Sequence, residues 1–116
     1  MLLVTDAMPT VGADIDSFDL FGVTVRAEGG RCVTADGTLA GADIGLITAV
    51  SNASRFAGID VTEALRMAST YVAEALGLAT ELGYIRPGYR ANLIELDKSM
   101  QVRRSWIDGD LQQYVA

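Results

Sequence analysis

Apolar residues along this chain recur with two different periods, which separate helical from extended stretches. Between Asp60 and Gly77, Val61, Ala64, Leu65, Ala68, Tyr71, Val72, Ala75 and Leu76 repeat at i, i+3, i+4 and i+7. That spacing predicts an amphipathic helix over 60–76. Asp60 with Glu63 three residues on is a variant capping box at its start, and Gly77 supplies its stop. Met67 inside it reads as core filler. Upstream, Ile44, Ile47, Val50, Ala53 and Ala57 form a second apolar face, with Asp43 as its N-cap and Gly58 at its end.

The remaining stretches read as strands and turns. Leu2-Leu3-Val4 is a short apolar run of the kind a buried strand carries. Residues 22–27 and 31–34 are β-like and flank Glu28-Gly29-Gly30, whose glycines supply the positive φ of a tight turn. A further turn follows at Ala35-Asp36-Gly37-Thr38. The loop before the hairpin carries Asp14, Asp16 and Asp19, read as a solvated acidic edge. Residues 83–97 make a turn-rich lead-in and a strand, and 101–107 a second strand. Asp108-Gly109 is a hairpin signal, with a return strand over Leu111 to Val115. Trp106 fills a core more readily than it stacks on a ligand in so short a β-segment.

Charge and composition then exclude several classes of function. With 116 residues, half of them hydrophobic, the chain carries enough apolar surface for a modest core. Its net charge of −6, from nine cations and fifteen acids without long runs, argues against a nucleic-acid surface. No apolar run approaches the roughly 18–20 residues of a membrane span, and the N-terminus lacks the pattern of a signal peptide, so a cytoplasmic location is expected. The lone cysteine, Cys32, has no partner for an intrachain disulfide and reads as a small buried hydrophobe. There is no histidine, so neither a Ser-His nor a Cys-His pair can be built. The carboxylates show no calcium-loop spacing, and ligands for any metal must come from outside this stretch.

One carboxylate stands apart. Asp6 follows the apolar run 2–4, and the C-terminal tip of a strand is where a (β/α)₈ barrel keeps its catalytic groups. Spacing alone favours a turn or N-cap role for such an Asp. Leu39-Ala40-Gly41 similarly reads as a plain approach to the following helix, where glycine relieves crowding.

The wider context of these residues changes the balance. The segment Leu3-Val4-Thr5-Asp6-Ala7-Met8-Pro9-Thr10-Val11-Gly12 resembles the end of the eighth barrel strand of the N-acetylglucosamine-6-phosphate deacetylases, in the amidohydrolase superfamily. The hairpin leading to Gly37-Thr38-Leu39-Ala40-Gly41 is similar to the same family. Ala64-Leu65-Arg66-Met67-Ala68-Ser69, Leu76-Gly77-Leu78, Gly83 through Leu93 and Val102 through Gly109 resemble the superfamily more broadly. Two positions depart from the pattern. Val72 stands where the family has proline, so a helix kink is expected to be missing, and Ala42-Asp43 replaces the usual serine.

The fold class this implies is α/β, the C-terminal fragment of a metal-dependent (β/α)₈ barrel joined to strands of a small β-sandwich. Residues 1–77 would be the end of the barrel, with its last strand, hairpin and two helices, and 78–116 the sandwich strands. The resemblance implies metal-assisted hydrolysis of the acetamide of N-acetylglucosamine 6-phosphate. Asp6 would be the catalytic acid/base, and Leu39, Ala40 and Gly41 would contact the sugar. It also implies a divalent ion, commonly Zn²⁺, in the full-length family, with none expected on this chain alone, which should be inactive by itself. Two other readings stay open: a different amidohydrolase, dihydroorotase-like or deaminase-like, and a non-catalytic remnant that self-associates. Unpaired strand edges and the apolar face of 60–76 lead us to expect a homo-oligomer, with no nucleic-acid or membrane partner.

Overall fold

The computed structural model describes residues 1–112. The chain divides into two compact units, Val4–Ala49 and a second made of Met1–Leu3 with the residues from Val50 onward. Each has its own sheet.

In Val4–Ala49, β1 (Ser17–Leu20), β2 (Val23–Glu28), β3 (Arg31–Thr34) and β4 (Leu39–Ala42) pair antiparallel in sequence order. The turn between β2 and β3 is the expected one: Gly29 and Gly30 have φ of 59° and 87°, the two consecutive positive values that a type I′ hairpin requires. Val25 and Cys32, on neighbouring strands, are fully buried, so Cys32 is the small hydrophobe its sequence context implied. Two strands lie where loops were expected. β1 contains Asp19, a poor strand former, yet its carboxylate accepts the Gly22 backbone N–H at 2.8 Å and so secures the turn into β2. β4 takes up Leu39-Ala40-Gly41, because pairing with β3 satisfies backbone groups that a loop would leave to water.

Helix α1 spans Leu46–Ala57 and ends as expected at Gly58, whose N–H bonds to the Ser54 carbonyl at 3.1 Å in a left-handed conformation. Its start corrects the sequence reading. Asp43 is not the N-cap: α1 begins at Leu46, the Thr48 and Ala49 N–H groups bond to the Gly45 carbonyl, and Asp43, two residues before Gly45, accepts instead from the Thr10 hydroxyl.

In the second unit the helix expected over 60–76 is two helices, α2 (Val61–Ala68) and α3 (Thr70–Ala75). Asp60 caps α2, accepting from the Thr62 and Glu63 N–H groups. The break falls at Ser69, at φ −137°, and needs no proline at 72. The Ser69 hydroxyl donates to the Leu65 carbonyl at 2.7 Å, while its N–H turns to Arg66, three residues back. A serine that satisfies the helix carbonyl with its side chain competes with the backbone ladder. Gly83 locks the break: a Cβ there would lie 3.0 Å from both Thr70 Cα and Ala73 Cβ, and the Thr70 hydroxyl donates to the Gly83 carbonyl at 2.7 Å. Ala64, Met67 and Ala73 are buried, with Met67 as core filler.

The same unit carries β5 (Leu93–Leu96), β6 (Val102–Ile107) and β7 (Asp110–Gln112), antiparallel in that order. Asp108 and Gly109, at φ 51° and 89°, make the predicted hairpin turn. The return strand is present through Gln112, and its expected continuation over 113–115 lies outside the described residues. Trp106 is half-buried, opposite Leu93 and Leu111. No helix among the described residues is long and apolar enough to cross a membrane.

The strand expected at Leu2–Thr5 does not form. Residues 1–6 have no regular secondary structure, and Ala7 makes one isolated parallel bridge to Ala42. A strand exists only through its neighbours, and the described residues offer this stretch a single bridge.

Candidate functional site

The two segments singled out in the sequence, Asp6 and Leu39-Ala40-Gly41, meet in space. The Ala42 N–H donates to the Asp6 carbonyl and the Met8 N–H donates to the Ala42 carbonyl, both at 2.9 Å. These paired bonds strap residues 6–8 alongside the end of β4. Asp6 itself sits at φ +54°, a left-handed conformation uncommon for a residue with a side chain. Its side chain is exposed and makes no hydrogen bond or ion pair with the described residues. Phe21, Met100 and Asp108 share the left-handed region, and Asp108 and Asp6 are of a residue type that tolerates it.

Gly41 explains the closeness. It is buried, and a Cβ built on it would lie 2.9 Å from the Asp6 carbonyl oxygen and 2.8 Å from Met8 Cγ. The glycine at this position is therefore required by approach of the Asp6 segment. Ala40 is the extra residue of a β-bulge: Cys32 faces Gly41 and Val33 faces Leu39, which leaves Ala40 without a partner. Bulges re-aim side chains at strand ends. Leu39 is 67% exposed.

Thr10, Asp43 and Cys32 complete the arrangement. Thr10 is buried, and its hydroxyl donates to Asp43 Oδ1 at 2.7 Å and lies 3.5 Å from Cys32 Sγ. Asp43 is fixed in turn by its own N–H, which donates to the Gly30 carbonyl at 3.0 Å. In sequence, Thr10 is one threonine in a turn of small residues, and only the fold reveals its partner.

The charged groups with displaced titration lie elsewhere. Hydrogen bonds from the Thr34 hydroxyl and the Thr38 backbone hold Asp36 below its usual range, which stabilises the turn into β4. Asp97 is lowered chiefly by the Gln101 N–H, and Asp108 chiefly by its paired bonds from Arg90. The phenols of Tyr71 and Tyr84 are raised, first by bonding to Glu63 and Glu74 respectively. A groove of about 310 Å³ lies among Tyr84, Arg86, Tyr89 and their neighbours, with the Arg86 guanidinium 4.2 Å from the Tyr84 ring centre. That groove belongs to the second unit.

The described residues contain no group of three or more His, Cys, Asp or Glu able to hold an ion, and the chain has no histidine. These residues alone do not fit a metal centre.

Comparison with known proteins gives the arrangement its context. The pattern of the amidohydrolase family matches residues 6–112. The chain is 37% identical over 114 residues to an N-acetylgalactosamine-6-phosphate deacetylase of Escherichia coli O157:H7, covering 98% of this chain and 30% of that protein. A relative in Escherichia coli (strain K12) is also 37% identical over 114 residues and is covered over 68% of its length. Among solved structures, the N-acetylglucosamine-6-phosphate deacetylase from Pasteurella multocida superposes with a TM-score of 0.90 at 40% identity, over 97% of this chain and 30% of that one. The chain thus spans about a third of the length of two of these three relatives.

Proposed function

This chain belongs to the amidohydrolase family, and on that premise we propose that it carries the acid/base carboxylate of a deacetylase acting on an N-acetylhexosamine 6-phosphate. Asp6 is the acid/base. The observation that carries the reading is its geometry: an exposed, uncommitted carboxylate on a left-handed backbone, strapped to β4 at Ala42.

In the reaction, water adds to the acetamide carbonyl carbon as an Asp6 carboxylate oxygen takes one of its protons. The C–N bond then breaks, and Asp6 returns that proton to the departing amine nitrogen, leaving acetate and the amino-sugar phosphate. Leu39, Ala40 and Gly41 would contact the sugar in this reading, and the bulge at Ala40 interrupts the register of β4 there. In this reading residues 1–77 form the end of a (β/α)₈ barrel and the strands of a small β-sandwich begin at 78, in a cytoplasmic enzyme. The divalent ion of the family resemblance takes its ligands from beyond the described residues, and by itself the chain should release no acetate. Relatives are named for both the galacto and the gluco sugar, so the configuration at C4 is a point for experiment.

The test grafts residues 1–112 in place of the matching segment of the Escherichia coli O157:H7 relative and measures acetate released from each sugar phosphate. The graft should be active. Asp6→Asn, which keeps size and removes the base, should lower kcat on the order of 10²-fold or more with little change in KM. An Asn variant with near-normal kcat would reduce Asp6 to a turn residue.

We also propose that the isolated chain self-associates. Phe21, Phe56, Leu76 and Ile85 are 68–99% exposed, more large apolar surface than a small monomer usually shows. Light scattering checks this: a monodisperse 12.3 kDa species would refute it.

A further inference from the structure

The only buried polar side chains of the described residues are Thr10 and Thr70, and Thr70 is spent on the helix break. Thr10 has no comparable task in its own turn. That turn is closed by backbone bonds, Val11 N–H to Met8 and Ala13 N–H to Thr10. Its hydroxyl instead crosses 33 residues of sequence to the Asp43 carboxylate, at 2.7 Å. Asp43 is the residue next to Ala42, which holds Asp6 and Met8 by backbone bonds.

We propose that Thr10 and Asp43 are positioning residues, a hydroxyl–carboxylate latch that keeps Asp6 in its left-handed conformation and so fixes the aim of its carboxylate. The inference rests on the reading of Asp6 as the acid/base. The backbone strap at Ala42 grips the Asp6 segment at residues 6 and 8, and the latch grips it again at residue 10. Two attachments on one side of a strained residue resist the relaxation that a single strap would permit, since αL is a shallow well for a residue with a side chain. Asp43 is itself anchored through its N–H to the turn between β2 and β3, so the latch pulls against the sheet rather than against a free loop. A carboxylate acceptor strengthens the bond relative to a neutral one. Burial beside Cys32 keeps water from competing for the Thr10 hydroxyl.

The test uses the full 116-residue chain and NMR, with no turnover required. Thr10→Val keeps the shape and removes the hydroxyl. It should move the Asp6 backbone shifts toward those of an unconstrained residue and speed exchange of the Met8 and Ala42 amides on the order of tenfold, with the Ala27–Cys32 pairing of β2 and β3 unchanged. Thr10→Ser restores the hydroxyl and should return all three signals to near their original values. Asp43→Asn, which keeps an oxygen acceptor without the charge, should fall between. Unchanged Asp6 shifts in Thr10→Val would overturn the latch, as would equal acceleration of every amide in residues 4–49. Failure of Thr10→Ser to rescue would do the same. Because these signals do not depend on catalysis, a failed latch is distinguishable from a failed acid/base assignment, which is read on Asp6→Asn in the graft.

Discussion

The two sheets of this chain are held by different forces. In β1–β4 the fully buried Val25 and Cys32 sit on adjacent strands, and no ion pair joins described residues of that unit. In β5–β7 every residue is at least partly exposed, and charges do the fastening. Glu95 and Arg104 face each other in register at 2.7 Å, Arg103 reaches Asp97 at 2.8 Å, and Arg90 grips Asp108 through two bonds of 2.8 Å. The sheet that carries the candidate site is therefore the one whose stability rests on packing, and the pairing of β2 with β3 around Val25 and Cys32 should be indifferent to salt and mild acid. The other should respond to both.

Cutting into the packed sheet should have the largest effect. Val25→Ala removes two methyl groups from a fully buried position and should destabilise the unit by roughly 2–3 kcal/mol. Amide exchange should rise through β1–β4 and stay unchanged in β5–β7. Equal loss in both sheets would mean that they unfold as one body and that the contrast is one of composition only.

Gly41→Ala is narrower. The added Cβ meets the Asp6 carbonyl and Met8, so residues 6–8 must shift, at an overpacking cost of about 1–2 kcal/mol. Shift changes confined to residues 5–10 and 38–43 are expected, and in the active graft a fall in kcat should accompany them. An Ala variant with unperturbed Asp6 signals would show that the strap is slack.

Acid should produce the mildest and most lopsided response. Asp97 and Asp108 have lowered pKa values in the folded chain, so their bonds stabilise it above the usual value of 3.8. That contribution is lost as pH falls below about 4 and through the lowered folded values. Protection in β5–β7 should decline over that window before the core of β2 and β3 loosens. Asp36, also lowered, secures only the turn into β4, so its signals should change without those of Val25. Residue-resolved exchange from pH 6 to pH 3 would measure this, and simultaneous loss in both sheets would erase the distinction.

Local signals in the sequence located the hairpin turns, the start of α2 and the end of α1. Gly29-Gly30, Gly58, Asp60 and Asp108-Gly109 act through their own backbone, so their chemistry is readable from neighbours in the chain. What depended on distant partners was missed. β1 and β4 owe their extended form to pairing with β2 and β3, and Ser69 breaks its helix where Gly83 packs close. The site divides in the same way. Asp6 and Leu39-Ala40-Gly41 were found by resemblance, but that Gly41 exists to admit the Asp6 backbone is visible only in three dimensions. Asp43 was assigned a local capping role because that is the commonest use of an aspartate before a helix, and its partner lies 33 positions away.

The bridge between Ala7 and Ala42 also bears on the order in which the chain assembles. Each link in β1–β2–β3–β4 joins neighbours through a short turn, so the meander can zip up hairpin by hairpin on a microsecond scale. The bridge closes a loop of more than thirty residues that includes the whole meander, and its entropy must be lost before its two hydrogen bonds are gained. Residues 6–8 should thus dock last during folding, onto a finished template, and detach first whenever the native state fluctuates. The acid/base carboxylate proposed for this chain would be the final piece set in place.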